Sequence, residues 1–230
     1  MSKCSIITAV FYGFFWVINT MAATLTKQKI INAAVHCFNR EGIANIRLQH
    51  IADEAVVSVG NMTYHYRNKD AIVRAIWEQL VQKQRDLLAE FRIVPLFEDV
   101  ERLLTSTFEL QQTYRFFYVD TLEVMRAYPE IQDAHQQHIA WQIQQMEMAI
   151  RFNQSRGAFQ AEKWENQFVY LAQEFWLLAD LWMYRQCVQN SATDDFDPFR
   201  NMLWGLFRPM FTDMGAREFE QLRGLLEKNF

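Results

Sequence analysis

Apolar residues recur with the helical period along nearly the whole chain, and the polar ones mark where each helix stops. From Thr26 to Glu41 the stripe is Ile30, Ala34, Cys37 and Phe38, and Gly42 supplies the stop. Leu48, Ile51, Ala52 and Ala55 fall at i, i+3, i+4 and i+7, with Asp53 and Glu54 on the wet side. A turn follows at Val56-Val57. Ser58 is placed to cap the next helix, because its hydroxyl accepts one of the unpaired N–H groups there. That helix, through Gly60, Asn61, Met62 and Thr63 to Tyr64-His65-Tyr66, is too polar to serve as a core element. From Asn68-Lys69-Asp70 a long helix begins. Val73, Ile76, Trp77, Leu80, Val81, Leu87, Leu88 and Phe91 share one of its faces, and Pro95 ends it.

Beyond Pro95, Glu98 to Gln111 and Tyr114 to Arg126 read as two helices. Pro129 opens another, which runs to about Arg156 and is stopped by Gly157. Trp164 to Gln189 is the most hydrophobic helix. Gln173, Glu174 and Asp180 interrupt its apolar run from Phe168 to Tyr184, which favours burial on two sides over a membrane span. A last helical region runs from Phe196 or Pro198 to about Leu226, with a kink expected at Pro209. No alternating strand pattern stands out, so the fold class is all-α.

The first twenty residues break this pattern. Ile6 to Ile18 is almost wholly apolar, but thirteen residues fall short of the ~20 that span a bilayer. Met21-Ala22-Ala23 is a poor cleavage site. The preferred reading takes Met21 as the true start and residues 1–22 as a leader outside the fold; a membrane anchor is the alternative. The expected division is then 23–70 and 71–230.

Composition sharpens the picture. Half of the 230 residues are hydrophobic, 15% are aromatic, and glycine and proline are scarce, as suits compact helical domains. Cys4, Cys37 and Cys187 are odd in number and far apart, which points to reduced thiols in a cytoplasm. The net charge of −4 divides unevenly. Residues 24–70 carry six basic against four acidic side chains, +2, and residues 71–230 carry 16 against 23, −7. A small positive unit on a larger acidic body fits nucleic-acid reading.

Short donors and acceptors on a helix with little apolar surface can approach a DNA groove closely, with phenols and a lysine beside them for phosphates. At Ile51-Ala52, Ala55, Val57-Ser58, Gly60, Tyr64, Tyr66 and Lys69, and upstream to Lys29, the chain resembles the tetracycline-repressor (TetR) family of bacterial transcription regulators. It departs from that family at two positions. The family usually has Gly where Val56 stands, and a Val resists positive φ. It favours Thr or Ser where Arg47 stands; here Asn45 is expected to cap, leaving Arg47 for a phosphate. The resemblance implies an N-terminal three-helix helix-turn-helix domain joined by a long helix to an all-helical ligand-binding and dimerisation domain. It also implies a homodimer on a palindromic double-stranded DNA operator, repressing until a small-molecule effector binds, without stable membrane association. The DNA-contacting set is expected to be Arg47, Gln49, Ser58, Gly60, Asn61, Thr63, Tyr64, His65, Tyr66 and Lys69. Arg47, Tyr64, Tyr66 and Lys69 are assigned to phosphates, Gly60, Asn61 and Thr63 to the groove, and His65 to either. The rival reading is a helical small-molecule or lipid-binding protein, tethered by residues 6–18, that has lost DNA reading; Val56 favours it.

No motif pairs a nucleophile with a base, and no cofactor or metal site is expected. His135 and His138, with Asp133 nearby, lack a third ligand at a set spacing and read as a solvated helix face. Most body aromatics read as core and interface. The sharper expectation is an effector pocket with Phe117, Asp120, Trp141, Trp176 and Asp180 around it; Glu123 and Glu174 are further polar candidates. Carboxylates there would favour a cationic or hydrogen-bond-donating guest. The surplus apolar surface of Trp164–Gln189, Leu178 and Met183 included, is expected to form a two-fold interface with the last helical region.

Overall fold

The structure, a computed structural model, describes residues 23–91, 94–189 and 195–226. Among them the regular elements are helical, apart from an isolated antiparallel bridge between Phe159 and Phe211. In chain order they are α1 (23–41), α2 (Leu48–Glu54), α3 (Val59–His65), α4 (Lys69–Phe91), α5 (Phe97–Thr113), α6 (Arg115–Val119) and α7 (Thr121–Ala127). Then come α8 (Pro129–Ser155), α9 (Gln167–Val188), α10 (Asp197–Phe207), a single 3₁₀ turn (Arg208–Met210) and α11 (Asp213–Leu226). The chain forms two compact units, one up to Trp77 and one from Glu78. The apolar stretch 6–18 and the expected start at Met21 lie outside the described residues. Among the described ones, no helix is long and apolar enough to cross a membrane.

In the N-terminal unit α1 buries Ile30, Ala34, Cys37 and Phe38, as its stripe predicts. Gly42 ends it at φ 77°, with its N–H on the Phe38 carbonyl. The helix α2 buries Ile51 and Ala52, α3 buries Met62, and the start of α4 adds Ile72, Val73 and Ile76. Between α2 and α3, the Val57 N–H bonds to the Ala52 carbonyl and the Val56 N–H to the Asp53 carbonyl. That is a Schellman stop, and it puts Val56 in the left-handed region at φ 52°. The β-branched side chain accepts this conformation and stands 79% exposed. The turn therefore closes without glycine, at a conformational cost of about 1–2 kcal/mol. The capping expectation for α2 changes. The Asn45 amide donates to the Glu41 carbonyl instead, and the Arg47 N–H at the helix start donates to the His50 ring at 3.4 Å.

The C-terminal unit is built on α8 and α9, around which the other helices bury a core rich in phenylalanine. Two boundaries differ from the sequence reading, and the kink expected at Pro209 is a full break. Tyr114–Arg126 divides at Asp120 into α6 and α7, because consecutive Phe116, Phe117 and Tyr118 are all buried and cannot share one helical stripe. The helix α9 starts at Gln167: Asn166 lies at φ 62°, and the Glu162 carboxylate accepts the Phe168 N–H at 3.0 Å. The last region breaks at Pro209 into α10 and α11, and the segment 157–160 lies against the break. Gly157 turns at φ 83°, Thr212 bonds the carbonyls of Gly157 and Ala158, and the Gln160 N–H donates to Met210. Gly215 makes that approach possible, since a Cβ there would sit 2.2 Å from the Ala158 oxygen.

Two substitutions test these backbone positions. Val56→Gly should stabilise the N-terminal unit by about 1 kcal/mol, because relief of left-handed strain outweighs the added chain entropy. Gly215→Ala should lower the stability of the C-terminal unit by about 1–3 kcal/mol, as overpacking against backbone does. Urea denaturation followed by circular dichroism reads both, and an unchanged midpoint in either variant contradicts the corresponding assignment.

Candidate functional site

The helix α3 is held from beneath by fully buried Met62 and capped by Ser58, whose hydroxyl accepts the Asn61 N–H at 3.1 Å. Its outward residues carry polar groups. Asn61 and Gly60 are exposed, Thr63 is half-buried with its hydroxyl on the Gly60 carbonyl, and Tyr64 is 84% exposed with its ring edge-on to His65. A Cβ placed on Gly60 would meet nothing nearer than the Ser58 hydroxyl at 4.0 Å, so the fold itself does not require glycine there. An exposed helical glycine costs about 1 kcal/mol against alanine. Its bare backbone is thus an open surface with no structural cause.

The flanking residues divide. Arg47 stands exposed at the start of α2, and Gln49 beside it donates to Asp53 at 2.7 Å. Tyr66 is half-buried at the end of α3. Lys69 has a structural part as well: its ammonium donates to the carbonyls of Ile43 at 2.5 Å and Ile46 at 2.9 Å. Two of its three protons thus tie down the loop between α1 and α2. His36, an exposed residue of α1, meets the Glu54 carboxylate at 2.8 Å; with Arg40 it holds that carboxyl below its usual range.

The C-terminal unit hides a second polar cluster. His138, Gln142 and Gln145 of α8 and Gln111 of α5 are buried, and His135 is half-buried. The expectation of a solvated face at His135 and His138 is therefore wrong: their stripe, i, i+3, i+7 and i+10 through Gln145, turns inward. Gln84 fixes the chemistry. Its amide nitrogen donates to the Tyr118 hydroxyl at 3.0 Å, so its oxygen must accept from His138 Nε2 at 2.8 Å. Nδ1 of neutral His138 is then a bare acceptor, and it has no partner. Gln111 Oε1, Gln145 Oε1, Gln142 Nε2 and His135 Nδ1 also lack partners.

Of the residues predicted for the pocket, four join this cluster. Trp141 stacks on His138 at 5.5 Å, Phe117 meets His135 edge-on, and the Trp176 indole N–H donates to the Gln142 carbonyl. Asp180 is half-buried; burial pushes its carboxyl up to about 7, and its charge adds to the burial that raises the Tyr118 hydroxyl. Asp120 does not join; it sits at the α6–α7 break, where burial and Glu123 raise its pKa. Glu123 and Glu174 are exposed. Gln84, Gln111, Tyr118, Gln142 and Gln145 escaped the sequence reading, and His138 was placed on the wrong face. The one signal for them was a polar stripe at helical spacing on α8, which looks the same whether it faces water or a cavity. A slit of about 10 Å³, room for roughly one water, lies between Gln84, Thr107, Leu110, Tyr118 and Trp176.

Two short helices joined by a Schellman stop, the second capped and polar outward, define a helix-turn-helix regulator, here with a helical body that buries a polar cluster within its apolar core. The chain belongs to the TetR family. The model described as "Bacterial regulatory proteins, tetR family" matches residues 30–76, and that described as "Bacterial transcriptional repressor" matches residues 70–219. Among curated proteins, the regulator UidR of Escherichia coli K12 is 31% identical over 67 residues, which is 29% of this chain and 33% of UidR. The similarity thus spans about a third of that relative's length. A TetR-family regulator from Marinobacter aquaeolei VT8 shares 22% identity and superposes with a TM-score of 0.77 over 85% of this chain and 96% of its own. A transcriptional regulator from Saccharomonospora viridis, solved with choline, gives 0.64 at 21% identity over 80% and 96%. SmeT, the repressor of the Stenotrophomonas maltophilia efflux pump SmeDEF, gives 0.58 at 21% over 81% and 91%. These likenesses bear on the fold.

The buried cluster carries a pH signature of two opposing signs. Burial lowers the folded pKa of His138 from 6.5 to about 4, so its contribution is full above pH 6.5 and is lost on acidification toward 4. His135 shifts in the same direction. Asp180 rises from 3.8 to about 7, so its contribution is full below pH 3.8 and is lost as pH climbs to 7. Melting temperatures from pH 4 to 7 should therefore fall more steeply on acidification in Asp180→Asn than in wild type, and less steeply in His138→Gln. Parallel profiles for all three proteins would contradict the cluster.

Proposed function

We propose that this protein is a cytoplasmic repressor that binds a palindromic operator as a homodimer and leaves it when an effector occupies the body. The observation that supports this most is Gly60: an open backbone patch on an anchored, exposed helix that the fold does not need, suited to close approach by a base edge. In this reading α3 enters the major groove, with Asn61 and Thr63 at base edges. Ser58, Gln49 and His65 lie at the rim, and Arg47, Tyr64 and Tyr66 on phosphates. Lys69 orders the loop beside the reader through the Ile43 and Ile46 carbonyls.

Dimerisation falls to α9. Tyr170, Leu177, Leu181, Tyr184 and Val188 follow one another at helical spacing on its outer side, and each is about half exposed or more. Leu178 packs against the core and Met183 is 2% exposed, so neither belongs to that stripe. Leu177→Glu with Leu181→Glu should leave a folded monomer in light scattering, whereas an unchanged dimer refutes this face. The rival reading, a ligand binder without DNA recognition, loses its support once Val56 closes the turn.

The DNA contacts should fail in two different ways. Asn61→Ala should cost about 1–3 kcal/mol on the operator in the upstream DNA, relax one base pair per half-site, and keep the salt slope. Gly60→Ala should raise thermal stability yet weaken operator binding. Arg47→Ala should weaken binding to all DNA and reduce the magnitude of the salt slope by about 0.9 per contact, roughly 2 per dimer. Lys69→Ala is a poorer probe, since it also frees the Ile43 and Ile46 carbonyls. Anisotropy isotherms on operator and scrambled duplexes at several salt concentrations decide. Equal losses on both duplexes for Asn61→Ala would overturn the assignment of α3.

A further inference from the structure

The outward face of α3 is chemically selective. Its seven residues, Val59 to His65, include no arginine or lysine, the side chains that pair with both acceptors of guanine in the major groove. Arg67 lies beyond the C-cap Tyr66. Around the helix, away from buried Met62, the remaining residues fall into rows at i and i+4. Gly60 and Tyr64 form the middle row and are exposed. Val59 and Thr63, both half-buried, form one flank, and Asn61 and His65 form the other. His65 ends the helix with its ring edge-on to Tyr64 at 5.2 Å.

The two flanks suit different base edges. Thr63 commits its hydroxyl proton to the Gly60 carbonyl at 3.1 Å, so it presents a methyl and a lone pair to a base. Val59 presents only methyls. A base edge pressed on these groups loses water from its donors and acceptors, unless it carries an apolar group of its own. Among the four bases only thymine does so in the major groove, at C5. On the other flank, the exposed Asn61 amide holds a donor beside an acceptor. Adenine presents the complementary pair, N7 and N6–H. Guanine presents two acceptors, N7 and O6, and one of them would face the amide oxygen. The bare backbone of Gly60 lets side chains this short come close enough to reach.

Resting on the operator reading above, we infer that the base pairs beneath α3 are A·T, with an adenine on Asn61 and thymine C5-methyl groups on Val59 and Thr63. Phosphate contacts such as that of Arg47 set the register and carry none of this preference.

The test uses the full-length protein and a library of randomised duplexes. Selection should enrich a two-fold site with A·T pairs at the reader-facing positions of each half. On that site, exchanging thymine for uracil removes the C5-methyl and keeps the base pair. Binding should weaken about fourfold for each methyl that is buried, hence about fifteenfold for one such thymine in each half-site. Thr63→Ser keeps the hydroxyl bond to Gly60 and loses the methyl, so it should bind the two duplexes more nearly alike. Thr63→Val keeps the methyl and should go on preferring thymine. An adenine analogue lacking N7, 7-deazaadenine, should weaken wild type and leave the residual binding of Asn61→Ala unchanged. The base analogues act on wild-type protein, so the test holds even where a variant does not fold. Guanine or cytosine enriched at those positions, or equal affinity for thymine and uracil duplexes, overturns the inference while the operator reading stands. If selection enriches no sequence, the operator reading itself fails and the inference falls with it.

Discussion

Carbonyls stranded where helices end are the constraint on which both units depend. A helix that stops leaves backbone acceptors without partners, and in a compact unit something must donate to them. In the N-terminal unit Lys69 reaches back from α4 to the Ile43 and Ile46 carbonyls, so the first turn of the long helix fixes the loop that sets α2. In the C-terminal unit Thr212 closes on Gly157 and Ala158, and the missing side chain of Gly215 lets the backbones touch. Asn153 belongs to the same corner, with one amide donating to both the Pro95 and Ala149 carbonyls. Hydrophobic burial drives these helices together, and the few polar ties decide where each one stops.

The two units distribute polarity in opposite ways. Around α3 the apolar anchor is one side chain, Met62, and the polar groups face out. Along α8 the polar groups face in, between Ile131 and Met146 above and below them. The first arrangement costs little, because exposed polar atoms keep their water. The second is expensive, and Gln84 relieves part of it by bridging His138 to Tyr118.

Helix positions were largely legible because apolar period, glycine stops and the Ser58 cap act locally. The boundaries that moved did so for reasons outside the local window. Three adjacent buried aromatics split α6 from α7, and Glu162 reached across six residues to start α9. The capped, outwardly polar α3 was readable from its own composition. The bonds of Lys69 to the Ile43 and Ile46 carbonyls were not legible, since those partners lie 26 and 23 residues away in sequence. Trp176 and Asp180 were grouped because they lie at i and i+4 on one helix. The buried glutamines and histidines come from other helices, and periodicity does not distinguish a stripe facing water from one facing inward.

The α8 stripe is buried but several of its polar atoms have no partner, so those atoms are weakly constrained by the needs of folding. Exchanging one unpartnered polar group for another of similar size leaves the helix, its neighbours and the anchoring corner at Ala158 as they are. The interior of this body can therefore change its chemical preference by single steps without passing through an unfolded intermediate. Met62, Gly42 and Gly215 have no such latitude. A lineage built on this scaffold would diverge fastest at the centre of its larger unit, where globular proteins ordinarily change least.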